Sequence, residues 1–199
     1  MGFKFLPRPP QQDQRPWEER DVAFLKKKST LPPTPRGQMT DIPEEATSHP
    51  VVILEISPDG NRALVTTVSA YGSAYGSTRM PWQNRRRDAD YRAFLGSPLP
   101  PQPSGSSRAG SSKKREFLKL EAGCGSFAFP ERSWVNAKSV WCVPIAALGD
   151  YHKAELGAGA DCLRLTESSL RDLSSHVKQV AKVYQQQSGK LKDKEKASF

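Results

Sequence analysis

The chain has 199 residues and a formal net charge of +9; 36% are hydrophobic and 17 are proline, roughly twice the usual ~5% share of proline. That composition excludes one fully packed domain of this length and predicts a smaller core with arms that cannot pack. No apolar run approaches the roughly 18 residues of a membrane span, no secretory leader is expected in the short Pro-rich start, and Leu6 breaks the myristoylation pattern that Gly2 would open.

Residues 1–47 are rich in Pro, Gln and charge, and Pro7, Pro9, Pro10, Pro32, Pro33 and Pro35 forbid long regular elements. A disordered Pro-rich arm is expected, with one short helix over Glu18–Lys28 carrying Val22, Phe24 and Leu25. Pro50–Ile56 is short, apolar and β-branched, the pattern of a strand buried on both faces. Ser57-Pro58-Asp59-Gly60-Asn61 is turn chemistry, and Arg62–Ser69 reads as a second strand, so the two form a hairpin. Ala-Tyr-Gly-Ser then occurs twice, over 70–77. Tyr71 and Tyr75 in this glycine-bearing loop are placed either to stack on bases or to pack on the edge of the core.

A disordered insertion is expected over 72–115. Its stretch 96–112 is low in complexity and cannot bury enough apolar surface to order itself, and Asp90–Leu95 is predicted as one helical turn. Structure is expected to resume at Glu116–Leu120. Ser139–Val143 reads as a strand, with Trp134 and Trp141 as core aromatics, and Leu148–Ala160 reads as a loop. Asn136 is either a base-reading residue or a turn residue. Cys162–Leu165 is a last short extended piece. Thr166 is a good helix N-cap, and Leu170, Leu173, Val177, Val180, Ala181 and Tyr184 form one apolar helical stripe. The helix is expected to end near Gln187, leaving 188–199 as a charged tail. These pieces predict a mainly β fold with a C-terminal helix (α+β): a small, strongly bent antiparallel sheet or barrel closed by that helix.

Cys124, Cys142 and Cys162 are widely spaced, form no CxxC pair and stand beside only three histidines. They read as reduced structural thiols of an intracellular protein, cytoplasmic or nuclear, with no metal site and no cofactor expected. The positive excess sits in two places, +5 over 81–116 and +4 over 176–199, while the core-like stretches are near neutral. Arg85, Arg86 and Arg87, and Lys113, Lys114 and Arg115, flank the low-complexity run. Such runs serve as solvated linkers, as electrostatic RNA or DNA contacts, or as nuclear-import signals.

The order of these motifs resembles the MazF/PemK-type proteins, toxin components of bacterial toxin–antitoxin pairs. Ser48-His49-Pro50-Val51-Val52-Ile53-Leu54 is similar to that family's opening strand and Leu64–Ser69 to the next, which ends in Thr/Ser. Trp134–Leu148 resembles its later strand and Cys162–Val183 its closing helix. The resemblance covers about 90 residues, split by the insertion, and implies a small SH3-like barrel spanning 48–187 that acts on single-stranded RNA. Metal-free RNA cleavage needs a base or positioner, a cation and an acid. Where the family has an Arg and, two residues later, an Asp, this chain has Val135 and Ala137, and His49 stands for the opening Arg. The weak catalytic candidates are therefore His49, Thr66 and Thr67, with Arg132 (and Lys138) as substitute cations; a His before Pro at a strand start is more often a turn residue than a general base. Tyr71, Tyr75, Arg85–Arg87 and Lys113–Arg115 are the RNA-binding candidates. Three functions follow: a degenerate, non-catalytic barrel binding single-stranded RNA; a protein-interaction scaffold whose Pro-rich arms are ligands for other domains; and an active metal-independent endoribonuclease. No membrane partner is expected.

Overall fold

A computed structural model describes residues 16–70, 91–93, 117–121, 133–151 and 163–192. It shows a mainly antiparallel sheet with C-terminal helices, as the sequence predicts. The strands are β1 (Asp21–Leu25), β2 (His49–Ile56), β3 (Arg62–Ala70), β4 (Tyr91–Ala93), β5 (Ser133–Pro144), β6 (Leu148–Asp150) and β7 (Leu163–Arg164). The helices are α1 (Pro33–Gly37), α2 (Glu167–Val180) and α3 (Tyr184–Lys192). Strand order is β4-β5-β3-β2-β1-β6, with β7 also on β1. That order is compatible with a small barrel, but among the described residues no pairing joins its two ends.

The expected hairpin is the centre of the sheet. β2 pairs antiparallel with β3, Val51 opposite Thr67 and Ile53 opposite Val65. Its turn closes with the Gly60 amide donating to the Ser57 carbonyl at 2.9 Å. Gly60 sits at φ 67, a left-handed conformation that costs glycine no side-chain clash. Register shifts after Ile53 and after Thr66 bend the sheet at two points.

Successive side chains of a strand point to opposite faces, and here both faces are buried. Val52, Leu54, Leu64, Val68, Val135, Val140 and Cys142 join one cluster with Leu173 and Val177 of α2 and Tyr184 and Leu191 of α3. Val51, Ile53, Ala63, Val65 and Val143 join a second with Leu31, Met39, Ile42, Ala147 and Leu148. The sheet is therefore the middle of three layers: helices on one face, residues 31–46 on the other.

Several expectations are corrected. The predicted helix over Glu18–Lys28 is a strand, β1, set inside the sheet with β2 on one edge and β6 and β7 on the other. Pairing on both edges outweighs the local helix preference of a five-residue segment. Residues 16–47 thus belong to the fold and are no disordered arm; Met39 is fully buried and Ile42 nearly so. Asp90–Leu95 yields a strand, β4, registered on Asn136, Val135 and Trp134 of β5, and Leu148–Asp150, expected in a loop, is β6 on β1. The closing helix is two helices. Ala181 leaves the helical region at ψ 98, and α3 turns to pack on β3 and β5, carrying helix past residue 188 where the tail was expected. The arm before residue 16, the insertion apart from β4, and the tail after residue 192 lie outside the described residues.

Candidate functional site

Three of the four weak catalytic candidates can be placed. Thr66 is fully buried, and its hydroxyl donates to the Asn136 carbonyl at 2.6 Å. That bond ties β3 to β5 at the bulge, where Thr66 faces Val140 and Val68 faces Val135. Thr67 is buried opposite Val51. His49 opens β2, half-buried and paired with Leu25, so it is a strand residue and not a turn. Val135 and Ala137 are fully buried in the cluster under the helices, where an ionised side chain would lose its hydration. Asn136, read as a base-reading or a turn residue, is a strand residue of β5 opposite Tyr91; its side chain donates to Ser139 Oγ at 3.2 Å and accepts from the Lys138 amide at 3.2 Å. Trp134 is buried and Trp141 half-buried, as core aromatics should be. Arg132, Tyr71, Tyr75, Arg85, Arg86, Arg87, Lys113, Lys114 and Arg115 lie outside the described residues.

The structure brings together other polar groups that the sequence reading missed. Where α3 crosses the sheet, the Tyr184 hydroxyl donates to Glu55 and Ser188 donates to the same carboxylate at 3.4 Å. Gln187 accepts from the Cys142 amide at 3.1 Å and donates to Asp41 at 3.3 Å; Lys190 pairs with Asp41. Burial and the Glu55 carboxylate hold the Tyr184 phenol far above its ordinary pKa. Burial likewise pushes the Cys142 thiol up, against the pull of Arg62, so it stays protonated at neutral pH and is a poor nucleophile. Partial burial pushes the Asp41 carboxyl up, but hydrogen bonds from Lys190 and Gln187 outweigh it and hold the group below the carboxylate range. This cluster is a seam: its carboxylate and hydroxyl contacts join α3 to β2 and to Asp41 of the layer over residues 31–46.

A second anchor holds the insertion to the fold. Arg92 of β4 is 3% exposed on its side chain and pairs with Asp172 of α2, so β4 is fixed to the sheet by its register and to the helix by an ion pair. On the other side of the sheet centre, the fully buried Asp21 accepts from Arg164 Nε at 2.9 Å across β1 and β7 and from the Glu18 amide at 2.9 Å. The sequence signal for Arg92 was slight: a single Arg beside Tyr91 within a charged stretch. Asp21 and Arg164, distant in the chain, gave none.

Against known proteins, the chain matches no family model, no curated protein and no solved structure.

Proposed function

We propose that this chain is a non-catalytic binding module for single-stranded RNA. The observation that carries the reading is the state of the strand end where the MazF/PemK resemblance would put chemistry. Thr66 is fully buried with its hydroxyl committed to the Asn136 carbonyl, and the neighbouring β5 positions are Val135 and Ala137, both inside the core. Among the described residues, no base, cation and acid converge there to serve cleavage. RNA is supported by where the basic runs attach. Arg87 is four residues from β4, which Arg92 clamps to α2, and Arg115 is three residues from the buried Leu118. Both runs therefore adjoin, in the chain, segments that belong to the folded body. The scaffold reading loses part of its basis, because Pro32, Pro33, Pro35 and Pro43 lie within or beside the layer that covers the sheet.

The test is RNA binding against salt. Full-length chain is titrated with a fluorescent oligouridylate, beside a variant with Arg85, Arg86, Arg87, Lys113, Lys114 and Arg115 all changed to Ala. Those substitutions leave β4 intact, which deletion of the insertion would not. Binding should weaken with salt, because neutralised phosphates release counterions, and the variant should bind less tightly with a shallower slope. A flat salt response, or affinity no better than for heparin, removes the RNA reading. RNA cleavage that persists in chelator and co-purifies with the chain removes the non-catalytic one.

A further inference from the structure

We infer that the outer face of α2, from Arg171 through Lys178 to Lys182 in the turn beyond it, is a contact surface for the phosphate backbone of single-stranded RNA; this rests on the RNA-binding reading above. The two layers that cover the sheet differ in charge. Residues 31–46 carry Arg36 against Asp41, Glu44 and Glu45, whereas residues 167–190 carry Arg171, Lys178, Lys182 and Lys190 against Glu167 and Asp172. Lys190 and Asp41 neutralise each other where the layers meet, which leaves Arg171, Lys178 and Lys182 on the helical side to attract a polyanion.

The helix arranges its charge in one row. Arg171, Ser175 and Lys178 are exposed and recur at spacings of four and three, the period of one helix face; Lys182 is exposed in the turn that follows the helix. Arg171 and Lys178 stand about 10 Å apart along the axis, at 1.5 Å per residue. The two acids of this segment are placed where they detract least. Asp172 is neutralised by Arg92, and Glu167 lies in the first turn, where the N-terminal end of the helix dipole favours an anion. Arg171 and Lys182 make no ion pair among the described residues, so their charges remain available. Lys178 sits 5.5 Å from the centroid of the Tyr184 ring, which holds the ammonium near the junction of the two helices. The Arg92–Asp172 pair also fixes β4 to this same helix.

Full-length chain is compared with R171Q/K178Q/K182Q and with E44Q/E45Q on the opposite layer, using the same oligouridylate. Each lost phosphate contact on a single strand should flatten the salt slope by about 0.7, so the triple variant should lose about 2 units of slope and bind roughly tenfold or more weakly at low salt. E44Q/E45Q should change neither. R171Q/K182Q leaves the Lys178–Tyr184 contact in place and should lose about 1.4 units of slope, and an unchanged thermal midpoint separates lost contact from lost fold. If the full-length chain binds RNA, and the six-alanine variant weakens it, but the α2 variants keep the full slope, the surface is elsewhere and the RNA reading survives without it. If E44Q/E45Q strengthens binding as much as the triple variant weakens it, the RNA senses net charge and not this face, and the inference falls. Equal competition by polyglutamate overturns it in favour of an acidic polypeptide, and absence of RNA binding overturns both proposals.

Discussion

The two layers flanking the sheet reach the same end by different means. The helical layer buries Leu173, Val177, Tyr184 and Leu191 through regular spacing. The layer over residues 31–46 has one five-residue helix and buries Leu31, Met39 and Ile42 between prolines. What decides membership of a core is apolar surface at the right place, not regular structure. A segment with little helix or strand of its own can still close a sheet face when its ends are tied down, here by β1 before it and β2 after it. The difference also explains why the layer over residues 31–46 escapes a reading of the sequence while the helical layer does not.

The sharpest way to break the comparison is to excavate each layer in turn. Met39→Ala and Leu173→Ala should each cost about 2–5 kcal/mol, the usual range for emptying a buried site, measured by urea unfolding. If residues 31–46 were an appendage, Met39→Ala would leave the midpoint where it is. Gln187→Ala probes the seam. It strips the Cys142 amide of its acceptor and should cost about 1–3 kcal/mol, the penalty of an unmet buried donor; a neutral result would show that water replaces the side chain. Thr66→Val keeps the shape and removes the hydroxyl that reaches Asn136. A loss of about 1 kcal/mol is expected, with RNA affinity unchanged, and a selective loss of affinity at full stability would return Thr66 to the binding site.

The smallest effect belongs to Asp41, the residue of the thin layer that holds Lys190 of the helical one. Its folded pKa lies below the ordinary value of an aspartate. Its ionised form therefore adds stability above that value, lost as pH falls through the folded pKa. The pair is exposed enough to be worth less than about 1 kcal/mol. Asp41→Asn should lower stability slightly at neutral pH and remove a small part of the decline in acid; identical acid limbs in both proteins would mean that the pair contributes nothing.

How far the sequence carries can be argued from individual elements. The β2–β3 hairpin was legible because its signals are local: a β-branched run, Pro58 and Gly60, and a second run. So was α2, whose apolar stripe agrees with a Thr166 N-cap that the Ser169 amide does bond, at 3.3 Å. β1 was not legible, since five extended residues bordered by Lys26–Lys28 look helical until β2, β6 and β7 are supplied. The first half of β5 was hidden by its own bulge, which breaks the alternation at Asn136–Ser139. At the candidate site, the sequence located the Thr66 strand end but held nothing about its burial, which depends on β5 crossing it. The row on α2 was visible only as charge, because the exposure of Arg171, Lys178 and Lys182 depends on which face the sheet covers.

The position of β1 has a consequence for the birth of the chain. Its inner edge finds β2 soon after synthesis, but its outer edge waits for Leu148–Asp150 and Leu163–Arg164, more than a hundred residues later. At the usual ribosomal pace of about 5–20 residues per second, that interval is on the order of ten seconds. Throughout it, Ala23, Phe24 and Leu25 present an unpaired apolar strand edge, the kind that templates pairing with other chains. Lys26, Lys27 and Lys28 follow directly, and a cluster of charge beside such a strand deters that pairing. In the finished protein, Lys26 turns its ammonium to the Ala146 carbonyl and Lys28 to that of Ile42, so the residues that guard the open edge of the nascent chain become fastenings of the closed one.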